Sequence, residues 1–78
     1  MTSDRRASWR VDVADTPQAV EALRRAAGAL GWLVVDDARL PGFLEPTRGF
    51  LLAVPLLTAA DVRAELQRAG VEPRRVTM

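Results

Sequence analysis

Eleven basic and ten acidic side chains carry all the strong charge in this sequence, and every base is arginine; histidine, cysteine and tyrosine are absent. Without cysteine there is no disulfide, thiol chemistry or thiolate metal site. Without histidine as well, zinc, haem and copper sites and any histidine-based triad fall away. Carboxylates and guanidiniums remain. The tandem pair Asp36-Asp37, with Asp12 or Glu45, offers the oxygen ligands that calcium or magnesium requires. Its spacing matches no cation-binding loop, and adjacent residues of a strand point to opposite faces. The expected place of the pair is a solvated strand end or hairpin turn. The same parity separates the carboxylates that a general acid–base pair would need. No catalytic, metal or cofactor residues are therefore assigned.

Arginine differs from lysine in clamping carboxylate or phosphate with a planar fork, which matters where several converge. Arg10, Arg48 and Arg75 are the ones that strand positions could turn toward a phosphate. The net charge of +1 is far below that of a protein that coats nucleic acid, although a sequence pI near 9.0 leaves room for a local patch. Absence of lysine, isoleucine and asparagine alongside abundant arginine and alanine is the pattern of a GC-rich coding sequence.

The elements that must position these groups are short and clearly punctuated. Residues 1–7 carry no periodicity and read as a disordered polar end, leaving 8–78 as a single domain with a thin core. Ser8 to Ala14 alternates, with Trp9, Val11 and Val13 on one face and Arg10 and Asp12 on the other, as a half-buried strand does. Thr16-Pro17 opens a helix: the threonine oxygen can accept from an orphan amide, and proline at the first position forfeits no bond. Val20, Leu23, Ala27 and Leu30 follow at helical spacing, Glu21 and Arg25 form an i,i+4 pair, and Gly31 or Gly28 ends the helix. Trp32 to Asp36 is a second strand, with Leu40 as its alternative end and either Trp32 and Val34 or Leu33 and Val35 facing out. Pro41-Gly42 and Pro46 to Gly49 bracket a long hairpin loop, and Phe50 to Val54 is an apolar central strand. Thr58 and Asp61 form a short variant of the capping box, Val62, Leu66 and Ala69 make a buried stripe, and Gly70-Val71 suits a Schellman closure. Arg74 to Met78 is a fourth strand.

An offset of 42 residues pairs Thr16, Val20, Ala22, Ala27 and Gly28 with Thr58, Val62, Ala64, Ala69 and Gly70. Two βαβ halves in tandem make an α+β fold, the ferredoxin-like βαββαβ sandwich, with a four-stranded antiparallel sheet and two helices on one face. In the order usual for that topology strand 4 lies beside strand 1, strand 1 beside strand 3, and strand 2 forms the other edge. Trp9, Val11, Val13, Val20, Leu23, Leu30, Phe50, Leu52, Val54, Val62, Leu66 and Val76 form the expected core.

Function then falls to the open face of the sheet. Arg10, Asp12 and Arg75, with Thr77 beside them, make one half of it charged, while Leu51, Ala53 and residues of strand 2 make the other half apolar, a split that suits a protein contact. Phe43 and Leu44 add large apolar groups in a loop that should be polar, as a partner anchor or a small local core. The triplet Arg48-Gly49-Phe50 resembles the RNP1 signature of RNA-recognition modules, which share the βαββαβ order and use outward aromatics to stack bases. The resemblance ends after three residues, and strand 1 has no matching aromatics. Sensing of a small ligand at a dimer interface would resemble the ACT-like regulatory domains of the same topology.

The expectation is a cytoplasmic, non-catalytic interaction or regulatory module without cofactor. It would act through homodimerisation and through another protein or a small ligand, on a surface of Arg10, Asp12, Arg48, Leu51, Ala53 and Arg75 with Phe43 and Leu44. The alternatives are a small oligomeric enzyme using Arg10, Asp12 and Arg48 beside an apolar pocket, and a weak RNA binder. No segment is apolar for long enough to span a bilayer.

Overall fold

The computed structural model describes residues 6–40, 45–55 and 58–78. The elements run β1 (Arg6–Ala14), α1 (Pro17–Leu30), β2 (Leu33–Leu40), β3 (Thr47–Pro55), α2 (Ala59–Arg68) and β4 (Arg75–Thr77). The strands form one antiparallel sheet in the order β2-β3-β1-β4, so the fold is α+β with four strands and two helices. Among the described residues no helix is long and apolar enough to cross a membrane.

Both helices start where their threonines place them. Thr16 Oγ1 accepts from the Ala19 N–H at 3.1 Å, and Thr58 Oγ1 from the Asp61 N–H at 3.1 Å. They also end alike. The Trp32 N–H donates to the Ala27 carbonyl at 2.8 Å and the Val71 N–H to the Leu66 carbonyl at 2.8 Å, with Gly31 (φ 72°) and Gly70 (φ 89°) in the left-handed conformation between. This is the Schellman closure twice over, and it turns Trp32 and Val71 back into the core. It also corrects the repeat: Gly70 corresponds to Gly31, not to Gly28, which is helical. The capping threonines are 42 residues apart and the capping glycines 39, because α1 spans 14 residues and α2 only 10.

One hydrophobic cluster joins the inward faces of the sheet and both helices. Trp9, Val11, Val13, Phe50, Leu52 and Val54 come from the strands, and Leu23, Ala26, Ala27, Val62 and Leu66 from the helices. Leu66 is 0% exposed, and truncating so buried a leucine to alanine costs about 2–5 kcal/mol. Three expected core residues, Val20, Leu30 and Val76, are only half-buried and pack against the cluster's edge. In compensation the core gains Ala26, Ala27, Trp32 and Val71.

The strands depart from expectation at their ends. β1 begins at Arg6, two residues earlier than the alternation suggested, because Arg6 and Ala7 pair with Pro55 and Val54. β3 begins at Thr47: Thr47, Arg48 and Gly49, expected in the hairpin loop, pair with Ala14, Val13 and Asp12 on one side and with Leu40, Arg39 and Ala38 on the other. β4 is only three residues long. Arg74 stands just before it and clamps the approach to β3, its guanidinium donating to Glu45, to the Pro46 carbonyl and to Thr47 Oγ1. Phe43 and Leu44 lie outside the described residues.

Candidate functional site

The face of the sheet turned away from the helices is read directly from the register, since residues directly opposite one another share a face. One row runs Arg75, Asp12, Gly49, Ala38 across the four strands, and the next runs Thr77, Arg10, Leu51, Asp36. The following row holds Ser8, Ala53 and Leu33. Five of the expected surface residues, Arg10, Asp12, Leu51, Ala53 and Arg75, are thus brought together.

Arg48 is placed elsewhere. It pairs with the buried Val13, so its side chain lies on the helix-covered side. There its guanidinium reaches Asp37 Oδ1 at 2.7 Å and Asp15 Oδ1 at 3.7 Å, while Arg24 of α1 holds Asp37 Oδ2 at 2.8 Å. Arg39 extends the network to Asp15 at 3.3 Å. Both Arg24 and Arg48 lie over the Phe50 ring, at 5.5 and 6.0 Å from its centroid. The hydrogen bond from Arg48, with its charge and that of Arg24, holds the Asp37 carboxyl below the ordinary aspartate value, and Asp37 in turn raises the Arg48 guanidinium. Asp37 is therefore no solvated turn residue but the centre of an ion-pair network joining α1, β2 and β3. Phe50, at 0% exposure under these arginines, is not offered to solvent.

A β-bulge decides the character of the open face. Val34 pairs with Leu52 and Asp36 with Leu51, so Val35 is the extra residue on β2. Before the bulge Leu33 faces out and Val34 in; after it Asp36 faces out and Asp37 in. The apolar alternative resolves to Leu33, 63% exposed, with Val35 at 56% and Leu51 at 36%. No spacing in the sequence signals this bulge, and a slip of one residue would exchange the two faces of β2.

Asp12 is on the open face yet nearly buried, with its side chain 9% exposed and Oδ1 lacking a hydrogen bond. The nearest cation is Arg10, whose Nε stands 3.8 Å from Oδ1 and whose side chain is 54% exposed. Gly49 makes this possible: a Cβ there would sit 3.0 Å from Asp12 Oδ1 and 3.5 Å from Arg10 Nε. Beside Gly49 is a shallow, open depression of about 160 Å³, bounded by Arg10, Asp36, Ala38 and Leu51. A second open concavity of about 640 Å³ lies between α1 and the α2–β4 connection, among Ala19, Ala22, Val71 and Pro73. Arg10 and Asp12 are on the opposite side of the sheet from Arg48, so the three candidate enzyme residues do not converge. Among the described residues no group of three acidic side chains is placed to hold a metal ion.

What fold and surface define together is a small α+β domain with one face covered by helices and one face open; the expected split of that face into a charged and an apolar half is not kept, because Asp36 of β2 stands on it beside Leu51. The chain matches no protein-family model and no curated protein sequence.

Proposed function

We propose that this chain is a ferredoxin-like, non-catalytic interaction module that works by joining a second copy of itself through the open face of its sheet. The element order βαββαβ and the strand order β2-β3-β1-β4 support the ferredoxin-like reading. The observation that carries the functional reading is the exposure of Leu33, Val35 and Leu51 on or beside a face that no element of the described chain covers. Strand spacing and rise give that face about 500 Å² per copy. Two copies would bury about 1,000 Å² in total, at the lower end of specific interfaces, which points to a reversible dimer.

A small-ligand role has one observation in its favour, the depression at Gly49 with a cation and a carboxylate on its rim. Regulation would then consist of a ligand altering the same face on which the copies meet.

Light scattering across a dilution series, on the wild type and on Leu51→Glu, tests the proposal. A wild-type dimer that dissociates on dilution, and a variant that is monomeric throughout, is the expected result. A monomeric wild type at every concentration overturns it, and a steeply salt-dependent affinity for RNA would point instead to nucleic acid.

A further inference from the structure

Resting on that reading, we infer the geometry of the dimer: two sheets face each other about a twofold axis parallel to β3 and passing over Leu51, so that Arg10 of each copy opposes Asp36 of the other.

The argument starts from one register row. Arg10 and Asp36 flank Leu51 on neighbouring strands, each about 5 Å to one side of it. A twofold axis along the strand direction exchanges left and right while leaving position along the strand unchanged. It therefore sets the cation of one copy over the carboxylate of the other twice, and Leu51 over Leu51 between them. An axis running across the strands would instead set Arg10 over Arg10 and Asp36 over Asp36, which like-charge repulsion disfavours. The row is self-complementary in only one of these two orientations, as an isologous interface requires.

Neither charge is tightly engaged within its own domain. Asp15, Glu21, Asp37, Glu45 and Glu65 are all held in ion pairs. Among the described residues Asp36 has no ion pair, its carboxylate accepting only the neighbouring Asp37 N–H, and Arg10 approaches Asp12 no closer than 3.8 Å. The depression beside Leu51 gives the facing leucine room to lean over Gly49.

The test is charge exchange, followed by sedimentation and native mass spectrometry. Arg10→Glu alone and Asp36→Arg alone should each weaken self-association roughly tenfold or more, since each sets like charges against one another. An equimolar mixture of the two should form a heterodimer, and the double variant should return to near wild-type affinity. If Arg10→Glu fails to fold beside the buried Asp12, adding Arg10→Gln to Asp36→Arg gives the same readout, because removing one of the facing cations should restore association. A wild-type dimer that Leu51→Glu disrupts, but whose affinity ignores these exchanges or whose single variants do not combine, overturns this geometry and leaves the open-face reading standing. A wild type that is monomeric at about 1 mM, far above the affinities of specific complexes, overturns both.

Discussion

Gly49 lies directly opposite Asp12 in the β1–β3 ladder, and the side chain it lacks is the space that the Asp12 carboxylate and the Arg10 guanidinium share. Gly49 is not in the left-handed region, so alanine fits its backbone and gains up to about 1 kcal/mol through the unfolded chain. Against this, the new Cβ would stand 3.0 Å from Asp12 Oδ1 and 3.3 Å from Leu40 Cδ1, and overpacking of this kind costs about 1–3 kcal/mol. Gly49→Ala should therefore be destabilised by about 1 kcal/mol in urea denaturation. A stabilised variant would show that Asp12 shifts freely.

The ion-pair network on the other face predicts a specific pH dependence. The Asp37 carboxyl is held below its ordinary value of 3.8, first by the Arg48 hydrogen bond. A depressed carboxylate contributes stability above its unfolded value and loses that contribution as pH falls through its folded value. Asp37→Asn should be less stable than wild type at pH 7, and the gap should close as pH drops below 3.8. Urea melts of both proteins at neutral and strongly acidic pH check this; a gap independent of pH would mean that the carboxylate's charge is not what Arg24 and Arg48 use.

Two glycines three positions apart should respond in opposite directions. Gly31 caps α1 at φ 72°, where a Cβ is strained, so Gly31→Ala should cost about 1–2 kcal/mol. Gly28 is inside the helix with nothing within 4 Å of a Cβ, so Gly28→Ala should gain about 0.5–1 kcal/mol. Thermal melts read both signs, and equal effects at the two positions would contradict the placement of the cap.

The helix starts were legible because Thr16-Pro17 and Thr58 each supply a local capping interaction, and β1 was legible because Trp9, Val11 and Val13 alternate with polar residues. Four antiparallel strands and two helices follow from such local signals. What local signals could not convey was register. The bulge at Val35 reverses the faces of β2 midway, sending Leu33 and Asp36 out and Asp37 in, and pairing determines it, not periodicity. Arg48 is a different case: it shares its parity with buried Phe50, so once Thr47 to Gly49 belong to β3 and not to the loop, simple alternation carries it to the helix side. Of the two candidate caps the sequence favours Gly31, where the cap stands, whereas the 42-residue offset pairs Gly28 with Gly70, because it aligns helix starts and the helices differ in length.

The most direct test of the open face as the working surface is the dilution dependence of amide resonances in a ¹⁵N-labelled sample. Self-association through that face predicts that Leu33, Val35, Arg10, Leu51 and Ala53 shift together with concentration while Glu21, Arg25 and Arg68, on the outer sides of the helices, stay fixed. Spectra that do not change with concentration, or shifts confined to the helices, would contradict it.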